Sequence, residues 1–176
     1  MLKLKAEQNV REEVWEEAIS QFERVLRLDN SLVFALNGLD SAKKRLALRN
    51  RLQYFLDDPT VMKDDDQLKE AKKTLMDASI LAASSPATAN QIGSLSRLIS
   101  LARIPIKVII SSDGDTEIFV YQVKRLGKVR SEELELYPGT YTIVGKRRGY
   151  RDVRQTLKLL ANAPIKPINI SCKEKI

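Results

Sequence analysis

The stretch Leu134–Arg154, LELYPGTYTIVGKRRGYRDVR, decides how the C-terminal third is read. Leu134 and Leu136 alternate with Glu133 and Glu135, so a strand here buries one face and wets the other. Pro138-Gly139 breaks that strand. Proline presets φ at the second position of a turn and glycine accepts the positive φ that a type II turn needs next. The following Tyr141-Thr142-Ile143-Val144 is aromatic and β-branched, which suits a pleated, half-buried surface. Gly145 and Gly149 bracket Lys146-Arg147-Arg148 as a strand end and turn, and Tyr150 and Val153 return to the apolar side. The stretch reads as a hairpin followed by a further strand.

Upstream, the hydrophobic period switches from 3.6 to 2 at Ile104-Pro105, where a domain boundary is expected. The join has no Gly/Ser linker, so a fixed relation between the two parts is expected. Ile106, Val108 and Ile110 alternate as a first strand, and Ser112-Asp113-Gly114-Asp115 is a hairpin signal. Glu117 to Val123 predicts the next strand, and Arg125-Leu126-Gly127-Lys128 a turn. Downstream, Leu157 and Leu159 lie on another strand, Asn162-Ala163-Pro164 turns, and Ile168 to Cys172 closes the sheet. Six or seven short strands at regular spacing predict a small antiparallel β-sandwich. At about 73 residues such a domain is marginal alone.

An apolar residue before Pro138-Gly139, then Thr140-Tyr141-Thr142, then Gly149-Tyr150 and a further strand resembles the PEGA domain and its relatives. The resemblance covers roughly residues 104–176, although the name-giving Pro-Glu-Gly-Ala run is absent. It implies a small β-sandwich of the kind found in bacterial and archaeal envelope and signalling proteins. Its motifs are turn and core motifs, so what it implies is a fold and a cell-envelope setting, periplasmic or membrane-associated through a segment outside this chain. A cytoplasmic location is left open.

Residues 1–103 read as helices. From Leu4 to Leu28, Val10, Val14, Trp15, Ala18, Phe22, Val25 and Leu26 form one stripe, predicting a single amphipathic helix with Trp15 in its core. Asp29-Asn30-Ser31 closes it and opens a second helix to Asp57, which Asp58-Pro59 ends. Lys63 to Asp66 is read as a charged loop. A third helix is expected from Asp65 to Ala83, with Leu68, Ala71, Leu75, Ala78 and Ala82 as its stripe. Ser84-Ser85-Pro86 breaks it, and Ala87 to Arg103 forms a fourth. The segment VWEEAISQFERVLRLDNSLVFALNGL resembles a tetratricopeptide-type helix hairpin, with Ala18, Phe22 and Leu26 facing Ala35, Leu36 and Leu39. Only one such unit is present, and three or more normally stack in a solenoid. The expected class is therefore α+β: a tetratricopeptide-like antiparallel helical bundle over residues 1–103, then the β-sandwich over 104–176.

Composition removes several chemistries. The chain has no histidine, which excludes His-based acid–base work and Ser-His or Cys-His nucleophiles. Its one cysteine, Cys172, alternates with polar neighbours and reads as a small buried hydrophobe. No apolar run approaches the length of a membrane span, and the N-terminal MLKLKAEQNVREE lacks the apolar core of a signal peptide. No enzyme activity and no cofactor is expected.

The charge is uneven. Residues 104–176 hold 14 Lys and Arg against 8 Asp and Glu, so +6 of the chain's +7 lies in the β part. Lys146, Arg147, Arg148, Arg151 and Arg154 are its densest cluster and the candidate partner-binding residues. They read either as a solvated hairpin edge, which discourages strand-to-strand aggregation, or as a contact for an acidic protein, an anionic glycan or a lipid headgroup. Nucleic acid is disfavoured, since no recognition element accompanies the patch. Lys43 to Arg51 is a second basic run, read mainly as a solvated face. Asp113, Asp115 and Glu117 lack the loop of a calcium site. Glu133 and Glu135 share one wet strand face without an apolar pocket to raise either pKa. The expected function is a non-catalytic adaptor or scaffold mediating protein–protein interaction in a bacterial envelope-associated assembly. The alternative is a polysaccharide- or peptidoglycan-binding module, which requires Tyr121, Tyr137 and Tyr141 to be exposed together.

Overall fold

The structure is a computed structural model that describes residues 2–80, 85–165 and 167–176. It is α+β: among the described residues five α-helices precede seven strands in two sheets. The chain divides into two compact units, Met1–Leu56 with Lys73–Leu95, and Asp57–Lys72 with Ser96–Ile176.

The first unit contains α1 (Leu2–Arg11), α2 (Trp15–Leu28) and α3 (Val33–Asp57) up to Leu56. The single helix expected from Leu4 to Leu28 is in fact two. Glu13 adopts a left-handed φ of 59°. The Glu13 N–H bonds back to the Val10 carbonyl, and that of Val14 to Asn9. This is a Schellman termination with glutamate where glycine is usual, so no glycine or proline announces it. The apolar stripe continues across the break, because Ala6, Trp15, Ala18, Phe22 and Val25 share one core with Ala35 and Ala42 of α3. The Phe22 ring lies over Gly38, where an added Cβ would sit 2.4 Å from Cζ. Asp29 accepts from the Ser31 N–H and hydroxyl at 2.9 and 2.6 Å, stabilising the α2–α3 turn. In the last turns of α3, Leu52 and Phe55 are fully buried.

α4 (Asp65–Ser79) and α5 (Pro86–Leu101) each have residues in both units. The expected end of the third helix at Ala83, its stripe residue Ala82, and Ser84 of the break lie outside the described residues. Asp64 caps α4 by accepting from the Asp66 and Gln67 N–H groups, and Ser85 caps α5 by accepting from that of Thr88.

The second unit carries the strands. β1 (Ile106–Ser111), β4 (Ser131–Leu136) and β7 (Ile168–Asn169) form one sheet in the order β4-β1-β7. β2 (Glu117–Val120), β3 (Lys124–Lys128), β5 (Gly139–Lys146) and β6 (Val153–Leu159) form the other in the order β3-β2-β5-β6. One apolar cluster takes residues from both sheets, including Val108, Ile110, Leu134 and Leu136 from the first and Ile118, Ile143 and Leu159 from the second. All pairings are antiparallel except β1 with β7, which is parallel because β7 returns after a crossover through the other sheet.

Three expected turns differ. Ser112–Asp115 is not a hairpin; it carries the chain from one sheet to the other, since β1 and β2 have different partners. Arg125–Lys128 lies in β3 rather than in a turn. Gly127, at φ +75°, accompanies a register shift between Ile118 and Phe119, so the glycine marks a bulge. Pro138-Gly139 also joins the two sheets, and Gly139 is not among the positive-φ residues, so there is no type II hairpin. Its buried backbone instead lies under the Lys63 side chain, whose Cδ would be 2.8 Å from an added Cβ. The Tyr141 hydroxyl reaches back to the Tyr137 carbonyl at 2.9 Å and ties this corner.

The segment before α4 belongs with the strands for physical reasons. A 3₁₀ turn at Pro59–Lys63 buries Met62, and Thr60 meets the Thr140 hydroxyl at 3.2 Å. Arg103 donates to the carbonyls of Met62 and Lys63 and pairs with Asp65. The period switch at Ile104-Pro105 immediately precedes β1.

Candidate functional site

The hairpin within the quoted stretch is β5–β6, turning through residues 147–152. Its register runs from Gly139 opposite Leu159 to Gly145 opposite Val153. Gly145 is buried because Ile170 and Thr116 occupy the space of a side chain; an added Cβ would lie 2.7 and 2.9 Å from their methyl carbons. Gly149 holds φ +80° in open space, the left-handed conformation that lets the basic turn reverse tightly. Residues 174–176 brace that turn: the Arg151 N–H donates to the Glu174 carbonyl, and the Ile176 N–H to that of Gly149.

The five candidate basic residues separate into two groups. Arg147 is engaged by Asp113 at 3.4 Å and Asp115 at 2.8 Å, and it lies 4.4 Å from the Tyr150 ring centre. Lys146 faces Asp152 at 3.6 Å, and Arg151 faces Glu174 at 3.1 Å. These exposed pairs are each worth about 1 kcal/mol or less. Arg148 and Arg154 are exposed, and no ion pair reaches either among the described residues. An open depression at the turn is lined by Asp115, Glu117, Lys128, Lys146, Arg147 and Arg148, so both signs of charge meet there. Arg154 stands apart, opposite Val144 on the outer face of the sheet.

Asp113, in the sequence a turn residue and a rejected calcium ligand, anchors this region. Its carboxylate accepts from the N–H groups of Asp115 and Thr116 at 3.0 and 2.8 Å, and from the Thr116 hydroxyl at 3.0 Å. Partial burial pushes its carboxyl up, but these bonds and one from the Ser112 hydroxyl outweigh it and bring the pKa to about 2. Thr116 is fully buried, and its hydroxyl also accepts from the Cys172 N–H at 3.0 Å. Cys172 is itself buried, as its alternation suggested. The neighbouring Glu117 pairs with Arg125 across the β2–β3 ladder. Glu133 accepts from Lys107 at 2.9 Å, an interaction that raises the lysine's pKa.

The aromatics do not converge. Tyr121 and Tyr137 are exposed, but Tyr141 is only 4% exposed. Burial pushes its phenol pKa up, against the opposing effect of Arg103. The Lys63 ammonium sits 4.1 Å from the centre of its ring. Trp15 is buried among α2 and α3 side chains, with Arg45 at 5.4 Å.

Two further features had no clear mark in the sequence. An apolar cavity of about 290 Å³ is lined by Pro59, Met62, Leu98, Ala102, Pro138 and Leu159 among others. It brings together residues as distant in sequence as Pro59 and Leu159, so no local spacing reveals it. The second is Asp58, which caps the 3₁₀ turn through Thr60 and pairs with Lys158 of β6 at 3.1 Å. The Thr60 hydroxyl and then Lys158 lower its pKa. Asp58-Pro59-Thr60 is a recognisable cap, but its partner on β6 is not.

Among the described residues no helix is long and apolar enough to cross a membrane. No family model and no curated protein matches the chain.

Proposed function

We propose that this chain is a non-catalytic adaptor, and that the β5–β6 hairpin docks on an acidic surface of a partner protein. The observation that carries this reading is the pair Arg148 and Arg154. Both are exposed on a braced hairpin without an ion pair among the described residues, whereas their neighbours Lys146, Arg147 and Arg151 are engaged. Guanidinium groups recognise carboxylates in a planar, two-pronged geometry. The absence of histidine and the pairing of Asp113, Asp115, Glu117 and Glu133 with cations support a binding role over catalysis. In this reading the strands form a PEGA-like sandwich and the helices a tetratricopeptide-like surface. The setting is a bacterial envelope assembly, an assignment that rests on resemblance alone.

The test is a crosslinking pull-down from the native cells with the wild type and an Arg148→Glu/Arg154→Glu variant as baits. Each captured protein is then purified and titrated against both. The expected result is a partner whose affinity for the variant falls at least tenfold and whose binding to the wild type weakens with salt. A partner that binds both baits equally at all salt concentrations refutes the docking role of the hairpin.

A further inference from the structure

Arg154 lies on β6, and β6 is the edge of its sheet, with β5 on one side and, among the described residues, no strand on the other. Which backbone groups face that edge follows from one hydrogen bond. The Tyr121 N–H donates to the Thr142 carbonyl at 2.8 Å, so Thr142 directs its polar groups toward β2. Directions alternate along an antiparallel strand, so Tyr141 and Ile143 direct theirs toward β6. Their register partners are Leu157 and Gln155. Arg154, Thr156 and Lys158 therefore turn their N–H and C=O groups outward, and no backbone bond joins them to another described segment.

The side chains of those three residues are exposed on the outer face, whereas Val153, Leu157 and Leu159 turn toward the core. Along the edge itself runs a cleft of about 280 Å³, lined by Gln155, Thr156, Leu157, Lys158, Leu159 and Ile165 among others. The edge thus carries Arg154 and Lys158 on one face and, apart from Gln155, apolar side chains on the other.

We propose that β6 is a strand-addition site for an extended acidic segment of a partner protein, paired antiparallel. In this arrangement one partner carboxylate lies opposite Arg154, which has no ion pair among the described residues, and a second lies opposite Lys158, where it competes with Asp58 at 3.1 Å. The partner residue opposite Thr156 exchanges backbone hydrogen bonds with it, and the partner side chains opposite Gln155 and Leu157 are aliphatic and face the cleft. Residues directly opposite one another share a face, so the partner motif is acidic–aliphatic–any–aliphatic–acidic. Charge selects this occupant over a second copy of the chain. A two-fold axis at Thr156, the middle of the strand, sets Arg154 opposite Lys158 of the other copy, and like charges directly opposed are destabilising. Lys and Arg on an edge discourage indiscriminate pairing, and the same charges favour an acidic strand. This site refines the acidic-surface docking proposed above and rests on that reading.

The probe is a fluorescein-labelled peptide with the core Glu-Val-Thr-Val-Glu, followed by fluorescence anisotropy against the full chain. Saturable binding is expected, weakened at least tenfold when the five core residues are scrambled to Glu-Glu-Val-Val-Thr. N-methylation of the central threonine is expected to cost at least tenfold, because it removes the donor facing Thr156 and leaves every charge in place. Thr156→Pro in the protein is expected to do the same. Its N–H does not serve the β5 ladder, so an edge proline here leaves the sheet intact, as the Ile118 and Ile143 methyl resonances would report.

Unchanged affinity for the N-methylated peptide overturns strand addition. If Arg154→Glu abolishes that binding, charge docking survives while strand addition falls. If sedimentation shows a dimer that Thr156→Pro dissociates, the occupant is a second copy and the acidic partner is refuted. No saturable binding of the parent peptide up to about 1 mM also overturns the site, without touching a partner found by pull-down.

Discussion

Asp113 gives the sharpest test of how the two sheets are joined. It sits where the chain leaves β1 for β2, and its carboxylate accepts from two N–H groups and two hydroxyls while meeting Arg147. Lowering its pKa from an ordinary 3.8 to about 2 corresponds to roughly 2 kcal/mol at about 1.4 kcal/mol per factor of ten. The carboxylate remains partly solvated, and screening reduces this to about 1 kcal/mol. Asp113→Asn keeps an oxygen for the N–H groups and loses the charge, so it is expected to cost about 1 kcal/mol. Asp113→Ala also strips the acceptor from the buried Thr116, which raises the cost to about 2–3 kcal/mol. The assay is urea unfolding followed on the Ile118 and Ile143 methyl resonances, which report the β core. Because the folded-state pKa lies below the unfolded one, the charge contributes fully above about pH 4 and is lost as the pH falls toward 2. The difference between wild type and Asp113→Asn is therefore about 1 kcal/mol at pH 6 and close to zero at pH 2. A difference that is constant over this range, or an Asp113→Ala variant within about 0.5 kcal/mol of wild type, refutes the anchoring role.

Three other changes probe particular contacts. Glu13→Gly relieves the left-handed φ at the end of α1 and is expected to stabilise the helical unit by about 1 kcal/mol, read as a higher urea midpoint by Trp15 fluorescence. Gly145→Ala pushes a methyl against Ile170 and Thr116, for an expected loss of about 1–3 kcal/mol on the Ile118 and Ile143 resonances; an unchanged midpoint contradicts the packing. Tyr141→Phe removes the bond to the Tyr137 carbonyl and is expected to cost about 1 kcal/mol, with faster amide exchange around Pro138-Gly139 as its local signature.

The turn residues were legible as breaks, but their geometry was not. Asp113-Gly114 and Pro138-Gly139 both interrupt period-2 patterns, as a hairpin does, yet both carry the chain between sheets. A local signal states that a strand ends; which strand lies beside the next one depends on contacts far away. Gly127 looks like a turn residue for the same reason, whereas its positive φ serves a bulge inside β3. The α1–α2 break escaped because the residue at the left-handed position is glutamate, and the apolar stripe runs across it with nothing to mark the interruption.

The candidate site was half legible. A run of basic residues around Gly149 announces itself, but partner assignment needs space. Arg147 meets Asp113 and Asp115 from 34 and 32 residues further along the chain, whereas Arg154, in the same cluster, meets no carboxylate among the described residues. The outward direction of the Arg154, Thr156 and Lys158 backbone follows from a ladder that begins on β2, and no periodicity within β6 reveals it.

By itself the sequence determined what short-range chemistry controls: α before β, the start of the strands just past Ile104-Pro105, the inward faces of β1 and β4, the burial of Trp15 and Cys172, and the basic surplus. Alternation and side-chain polarity act residue by residue, so these are written in the chain. Only the tertiary structure decided the sheet order, the parallel return of β7, the place of the Pro59–Lys63 turn beside β5, and which arginines keep an open face. Those depend on which surfaces meet after the chain has closed its long loops.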